Sequence, residues 1–278
     1  RTSYEKWYTT GTTQFYERTF VPKEGYTVVS QAIQKDGTIR PWFLTAKYVA
    51  GVDKNGRRRS LKGLKPVRNN SYNNSVTNFH ARGAYYTAGL LSEYKDFLTT
   101  FWLKYGTRHT QSIMAGCTSY NYQYAVAEAE ENVSRVVVTA AQAANFVVGS
   151  AVSVGNRGTS TNNDRGQAYM HNLADDVIIT SIEELESGNY ALNLDCTPFT
   201  ITDATTTYVS TMHWWSGFSD NVLGRDGCPG NATNGKFPMV LDGIEMMVGG
   251  YEVGGNAIMD ISSSTGKRDI YITNDATK

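Results

Sequence analysis

The sequence is poor in cysteine, and the cysteines it has are far apart. Its 278 residues contain three, at Cys117, Cys196 and Cys228, with no Cys-x-x-Cys pair. A small domain held together by disulfides needs an even and denser set, and a structural zinc site needs ligands at closer spacing. We therefore expect three reduced cysteines that behave as small apolar residues of the interior.

An excess of charge of either sign is also lacking. Lys and Arg number 26, Asp and Glu number 26, and the formal net charge at pH 7 is zero. Proteins that bind nucleic acid usually carry a basic excess, which this chain does not have. No apolar run approaches the ~20 residues that cross a bilayer. We expect a soluble chain that binds no nucleic acid and does not insert into a membrane.

Catalytic motifs are scarce as well. No histidine belongs to a His-Glu-x-x-His or His-x-His pattern, and the four lie far apart at His80, His109, His171 and His213. There is no Gly-x-Ser-x-Gly nucleophile turn. The acidic pairs Asp175-Asp176 and Glu183-Glu184 leave one enzymatic alternative, because two carboxylates flank the bond that a glycoside hydrolase cleaves. Adjacent carboxylates on strands or turns are mostly solvated, so we predict a protein that is not an enzyme and uses no cofactor.

The polar segment 155–167, GNRGTSTNNDRGQ, raises the question of a metal. Its Asn162, Asn163 and Asp164 carry oxygens of the kind that bind calcium, but the spacing is not that of an EF-hand. Clusters of Asn, Asp and Gly are usual in plain turns. We predict a loop without a metal site.

Tyrosine, in contrast, is abundant, with 18 residues, while charged residues make up only 19% of the chain. Asn, Thr, Ser and Gly are also frequent. These residue types make adaptable contacts at binding surfaces. The composition favours a protein of the extracellular space or of a virion surface.

One helix is predicted over 92–105, in the stretch SEYKDFLTTFWLKYG. Apolar residues recur there three and four positions apart and form one stripe, consisting of Tyr94, Phe97, Leu98, Phe101, Trp102 and Tyr105. Ser92 is the expected N-cap, and Gly106 supplies a left-handed stop. We expect the helix to pack on a sheet. The side chains expected to be buried are Phe97, Leu98, Phe101 and Trp102.

The rest of the chain is patterned for short strands. Asp36-Gly37 and Asn55-Gly56 each separate two apolar runs, which predicts β-hairpins over 1–80, with a polar loop at 69–78. In 117–215, short apolar runs alternate with Gly and polar turns, which predicts an inserted small antiparallel β-barrel or sandwich. The predicted fold class is α+β, mostly β.

The stretch GGYEVGGNAIMDI, 249–261, has the glycine content of a phosphate-binding loop. Such a loop joins a strand to a helix, whereas this one leads into the strand-like Ala257-Ile258-Met259. We therefore interpret it as a turn and strand that the fold requires, in which Gly250 and Gly255 serve the backbone. Through Gly250-Tyr251-Glu252 and Gly255-Asn256 it also resembles the G-L-Y-D/E-x-x-G-N-V-x-E-W signature of the C-type-lectin-like fold of formylglycine-generating-enzyme-type domains.

This resemblance implies a lectin-like core made of 81–116 and 216–278, with 117–215 inserted between the two parts. It does not imply the copper-dependent activity, because the enzymes use cysteines late in the fold and here Cys228 precedes the signature-like element. The stretches FLTTFWLKYGTRHTQSIMAGCTSYNYQYAV and YVSTMHWWSGFSDNVLGRDGCPG also resemble structural proteins of Firmicutes prophages. In that group a C-terminal lectin-like segment, varied by diversity-generating retroelements, often changes what a phage tail binds.

The segment 213–231, HWWSGFSDNVLGRDGCPGN, is the best candidate for a binding surface. Trp214 and Trp215 point to opposite faces of an extended segment, so one is expected inside and the other at the surface beside polar residues. Exposed Trp in such surroundings stacks on sugars or anchors a partner. The predicted ligand-binding residues are Trp214, Trp215, Phe218, Asp220, Arg225 and Asp226.

Taken with the resemblance, the site predicts a non-enzymatic phage virion protein of the tail or surface. It would present a lectin-like domain to a glycan or protein of the host cell surface. The alternative is an architectural tail or capsid protein that assembles subunits and binds no host ligand. In both cases the partners are other virion subunits, and we expect a homo-oligomer.

Overall fold

The computed structural model describes residues 1–68, 70–223, 234–246, 248–249 and 257–273. The fold is mostly β, with 30% strand against 17% helix. Two compact units are present, which we call unit 1 (Arg1–Thr45, Asn69–Arg108 and Glu252–Lys278) and unit 2 (Ala46–Arg68 and His109–Tyr251). The division at 80, 116 and 215 stays a prediction. Within the described ranges, no helix is long and apolar enough to cross a membrane.

Unit 1 begins with a three-stranded antiparallel sheet of order β2-β1-β3. Its strands are β1 (Tyr4–Thr10), β2 (Thr13–Thr19) and β3 (Thr27–Val28), followed by a 3-10 helix at Ser30–Ala32. The predicted turn at Asp36-Gly37 is present, with Gly37 at φ 81°. A single bridge between Ile33 and Ile39 closes it, so this hairpin has no extended strands.

A further hairpin, formed by β4 (Gly51–Val52) and β5 (Arg58–Arg59), belongs to unit 2. Its turn is the predicted Asn55-Gly56, with Gly56 at φ 75°. The Asp53 carboxylate accepts hydrogen bonds from the N–H groups of Asn55 and Arg57, both at 2.9 Å, and so fixes the turn.

Helix α1 (Tyr72–His80) occupies most of the segment for which a polar loop was predicted. That prediction was wrong. The side-chain oxygen of Ser71 accepts a hydrogen bond from the N–H of Asn74 at 3.2 Å, and this N-cap satisfies a donor that a helix start otherwise leaves open. Capping, which polar residues supply, therefore favours a helix in a stretch with little apolar periodicity.

The predicted helix over 92–105 is confirmed as α2 (Leu91–Tyr105), and Gly106 ends it in the left-handed conformation with φ 64°. The predicted N-cap was wrong, because Leu90 holds that position and Ser92 is buried inside the first turn. The predicted burial was right in part. Phe101 is fully buried, Phe97 and Trp102 are half-buried, and Leu98 is 40% exposed.

Polar contacts explain why the apolar stripe of α2 is not fully buried. Arg18 of β2 donates to the hydroxyl of Thr100 at 2.9 Å and forms an ion pair with Asp96. Trp7 of β1 meets Trp102 edge to face, with ring centroids 5.9 Å apart. The helix thus packs on the sheet, as predicted, partly through its charged and hydroxyl side chains.

Unit 2 is built on a six-stranded antiparallel sheet that curls into a half-barrel. Its strands are β6 (Gln123–Ala125), β7 (Arg135–Val138), β8 (Ala151–Asn156), β9 (Ala174–Glu184), β10 (Tyr190–Leu194) and β11 (Thr207–Thr211), in the order β6-β11-β8-β9-β10-β7. The register shifts between Val152 and Val154 and between Asn193 and Leu194, and such bulges bend a sheet. The antiparallel strands predicted in 117–215 are confirmed.

The main core of unit 2 consists mostly of side chains from these strands. Its fully buried members include Val136, Val138, Val152, Val154, Ile179, Leu192 and Val209. Helix α3 (Ala140–Ala143) follows β7 and starts with a capping box between Thr139 and Gln142. Gly155 of β8 lies so close to Met170 that a Cβ would come within 2.1 Å of its backbone.

The remaining elements are short. Three 3-10 helices of unit 2 span Thr110–Ser112, Ala168–His171 and Phe218–Val222. The last strands form two hairpins, β12 (Met239–Leu241) with β13 (Ile244–Met246) and β14 (Ala257–Ile261) with β15 (Arg268–Ile272).

The strand predicted at the end of GGYEVGGNAIMDI is confirmed as β14, whereas 250–256 lies outside the described residues. The predicted roles of Gly250 and Gly255 and the core of the lectin-like signature fall on that segment. Of the three cysteines, Cys117 is buried and Cys196 half-buried, both as free thiols, and Cys228 is not among the described residues.

Candidate functional site

The two adjacent tryptophans lie in different environments, as the alternation predicts. Trp214 is fully buried, and its Nε1 donates to the carbonyl of Lys236 at 3.0 Å. Its ring packs against Phe237 with centroids 5.8 Å apart. Trp214, predicted to bind a ligand, is therefore a core residue. Trp215 is only half-buried and lines an open groove of about 530 Å³.

The groove lies entirely in unit 2, between the segment around 63–68 and the start of β9. The residues lining it are Val52, Arg58, Gly63, Leu64, Lys65, Pro66, Val67, Arg68, Asp175, Asp176 and Trp215. Trp215 is fixed there because its Nε1 donates to the carbonyl of Asp176 at 3.2 Å. Phe218 supports the ring with centroids 5.6 Å apart, and the Lys65 ammonium lies 5.3 Å from the ring centroid.

Asp175 connects the polar side chains on one side of the groove. The guanidinium of Arg68 donates to its Oδ2 at 2.5 Å, and Ser153 and His171 bond to its Oδ1 at 3.0 and 2.8 Å. Lys65 donates to its backbone carbonyl at 3.0 Å. Burial on its own would raise the pKa of Asp175, but Arg68 and Ser153 outweigh it and hold the pKa below its usual value.

Asp176, the next residue, has a different environment. It is 3% exposed and has φ 58°, a left-handed conformation that Asp tolerates better than most residues. Its N–H donates to the Ser153 hydroxyl at 2.9 Å, so one serine of β8 holds both acidic residues. Its Oδ2 lies 3.5 Å from Nε2 of His213, while its Oδ1 has no hydrogen-bond partner among the described residues.

The pair formed by Asp176 and His213 is buried, and burial disfavours the charged form of each residue. It raises the pKa of Asp176 and lowers that of His213, in both cases against the attraction between the two side chains. Both ring nitrogens of His213 are buried and without a hydrogen-bond partner among the described residues. Asp176 lines the groove, but its Oδ1 is buried and does not open into it.

Asp220, predicted to bind a ligand, is engaged within the protein. Its carboxylate accepts a hydrogen bond from the Tyr48 hydroxyl at 2.6 Å, and the ammonium groups of Lys62 and Lys47 lie at 3.5 and 3.8 Å. Asp220 does not line the groove. Arg225 and Asp226 lie outside the described residues.

Glu245 of β13 was not predicted, although it holds the turn that follows Trp215. It is 5% exposed, and its carboxylate accepts hydrogen bonds from the N–H of Gly217, at 2.9 and 3.1 Å, and from the Ser219 hydroxyl. Burial raises its pKa more than these hydrogen bonds lower it. Its signal in the sequence is an acidic residue among apolar ones in a strand, IEMM, which usually indicates a solvated position.

Metal binding has no support in the part of the chain that the structure describes, where no group of three His, Cys, Asp or Glu side chains could hold an ion. In the loop suspected of binding calcium, the side-chain oxygens of Asn162 and Asp164 accept hydrogen bonds from the N–H groups of Asp164 and Gly166 at 2.9 and 2.7 Å. These oxygens serve the turns of the loop.

Comparison with protein-family models, with curated proteins and with solved structures gave no significant match to this chain.

Proposed function

We propose that this protein is a non-enzymatic component of a bacteriophage virion, in the tail or at the surface. It would present a C-type-lectin-like domain to a glycan or protein of the host cell surface. The observation that supports this proposal best is the indole of Trp215 in an open groove with charged side chains beside it. The resemblance of 249–261 to the lectin-like signature supports it independently.

The groove has the parts that carbohydrate recognition requires. An aromatic face receives the apolar C–H face of a sugar, and fixed polar groups on its rim receive the hydroxyls. The Arg68–Asp175 pair offers donors and an acceptor in one rigid arrangement. Ser153 and His171 fix the Asp175 side chain through hydrogen bonds, and this preorganises the polar rim of the groove.

The same contacts argue for binding rather than glycoside hydrolysis. A general acid needs a carboxyl group that is protonated near neutral pH, which a raised pKa provides. Asp175 has the opposite shift, and both of its oxygens are engaged by Arg68, Ser153 and His171. Asp176 has the raised pKa that a general acid needs, but it is 3% exposed and its Oδ1 is buried, so its carboxyl group is not placed to reach a glycosidic bond in the groove.

Binding to an array of bacterial surface glycans tests the proposal. We expect the wild type to bind at least one class of glycan, and Trp215→Ala to weaken that binding about tenfold or more, as loss of an aromatic anchor usually does. Trp42→Ala is the matched control, because Trp42 is 61% exposed and lies in unit 1. A protein that bound no glycan, or bound it equally well without the Trp215 ring, would refute the proposal.

A second candidate, an architectural virion protein, is favoured by the exposed apolar side chains of unit 1. Trp42, Leu44 and Tyr85 are 61%, 87% and 75% exposed, and Ile270 and Ile272 of β15 are 60% and 56% exposed. Large apolar side chains gathered at a surface often belong to protein interfaces. Both candidates are expected to be oligomers, so sedimentation discriminates only together with the glycan array. Oligomers that Leu44→Ser weakens, formed by a protein that binds no array glycan, would favour the architectural role.

A further inference from the structure

The charged residues of the groove do not balance. Of the three cations that line it, Arg58 is engaged in a contact of its own, and Lys65 and Arg68 both contact Asp175, whose carboxylate balances one of them. Asp175 is already paired with Arg68, and Asp176 is buried beside His213. A ligand that enters the groove therefore meets a surface with a cationic excess, although the chain as a whole is neutral.

Two of these cations keep unused donors. Among the described residues, Arg68 forms hydrogen bonds only through Nη2, and its side chain is 34% exposed. The ammonium of Lys65 donates to the Asp175 carbonyl and lies over the Trp215 ring. It carries three N–H groups, so it can bond to an anion at the same time.

The position of Lys65 discriminates between neutral and acidic sugars. A sugar that stacks on Trp215 has to share the space above the ring with the ammonium or displace it, which costs the attraction between the cation and the ring. A neutral sugar returns only the weaker hydrogen bonds that its hydroxyl oxygens accept from the ammonium. An acidic sugar forms a charge-assisted hydrogen bond to the same ammonium and to the free side of Arg68.

The carboxylate of Asp175 adds a further contact. Its side chain is 43% exposed beside Arg68, so a hydroxyl of the ligand can donate to it while the anionic group binds the two cations. Cation, ring and acceptor together match a sugar that carries both an anionic group and free hydroxyls.

We infer that the groove selects glycans whose sugars carry an acidic group, with the anion on Lys65 and Arg68, the sugar ring on Trp215 and a hydroxyl on Asp175. This inference rests on the proposed function, since it names the ligand class of the same groove. The anionic group can be the carboxylate of a uronic acid or a phosphate on the sugar, which share the charge and the acceptor oxygens.

Calorimetric titration with trigalacturonic acid, its uncharged methyl ester and galactose 6-phosphate tests the inference. We expect the wild type to bind the acid about tenfold or more tighter than the ester, with a preference that shrinks as salt screens the charges. A higher affinity for the sugar phosphate than for the free acid would assign the anion to phosphate, and the reverse would assign it to carboxylate.

Lys65→Met and Arg68→Gln should each reduce the affinity for the acid towards the affinity for the ester. Lys54→Met is the matched control, since it removes the same charge from the exposed tip of the β4–β5 hairpin, outside the groove. Equal affinity of the wild type for acid and ester, together with no binding of galactose 6-phosphate, would overturn the inference. So would binding to array glycans by a protein that binds none of the three probes, and the proposed function would survive either result.

Discussion

Glu245 provides the sharpest test of how the site is held. Its carboxylate accepts the N–H of Gly217 and the hydroxyl of Ser219, and all three residues are buried. In Glu245→Ala both donors lose their acceptor in a place that water does not reach. An unsatisfied buried donor costs about 1–3 kcal/mol, so the loss of unfolding free energy should be about 3 kcal/mol, or about 6–12 °C in Tm.

Scanning calorimetry of three variants measures this. Glu245→Gln keeps one acceptor oxygen and should lose less than half as much as Glu245→Ala. Glu186→Ala is the control for loss of an acidic side chain, because Glu186 is exposed in the turn between β9 and β10, and its Tm should stay within about 1 °C of the wild type. If Glu245→Ala melted together with Glu186→Ala, the carboxylate would not hold the turn, and the account given for Glu245 would be wrong.

The pH dependence follows from the direction of the shift in pKa. Because burial raises the folded-state pKa of Glu245 above its ordinary value near 4.5, the folded protein binds the extra proton more tightly than the unfolded chain. The contribution of this group to stability is therefore largest at low pH and declines as the pH rises from 4.5 through the raised pKa. Glu245→Gln, which does not titrate, should lack this part of the slope.

Three other predictions concern the core, a helix end and the buried histidine. Gly155→Ala should destabilise unit 2 by several kcal/mol or prevent its folding, because the Cβ would lie 2.1 Å from the Met170 backbone. Urea unfolding measures this against Gly188→Ala, where the added Cβ meets no atom and only the backbone strain at φ 80°, about 1 kcal/mol, is expected. Thr139→Ala should remove the capping box of α3 and lower the unfolding free energy by about 1 kcal/mol, while Thr139→Ser should retain most of it. Burial lowers the pKa of His213 from 6.5, so its contribution to stability is present above pH 6.5 and is lost below it. Between pH 7.5 and 5.5 the Tm of His213→Gln should therefore fall less than the Tm of the wild type. Parallel curves of Tm against pH would contradict this.

Elements with a strong local signal could be predicted from the sequence. The three-four spacing of apolar residues and Gly106 identified α2, and Asn55-Gly56 identified a hairpin turn. Both signals act within a few residues, so no knowledge of the rest of the chain was required. Helix α1 was missed for the converse reason: its apolar pattern is weak, and the cap provided by Ser71 was not recognised.

The groove could be predicted only in part. Trp215 and its neighbour were identified because adjacent residues of an extended segment face opposite ways. The other side of the groove comes from Lys65 and Arg68, which are separated from Asp175 by 110 and 107 positions. No local sequence pattern predicts a contact between residues so far apart in the chain. The acidic pair Asp175-Asp176 is, from its sequence, typical of solvated carboxylates.

The glycine-rich stretch that carries the lectin-like pattern packs, at its first residue, against the segment that forms part of this groove. Gly249 has φ 106°, and a Cβ there would lie 3.2 Å from the Cα of His213. The carbonyl of Val248 accepts the N–H of Trp214 at 2.8 Å, so the chain at 248–249 runs directly behind the segment that carries the buried histidine and both tryptophans. A side chain at Gly249 would strain the backbone and push on His213, which contacts Asp176 in the groove wall. Glycine at 249 therefore supports the groove by permitting the close packing that places Trp215, although it does not itself line the groove.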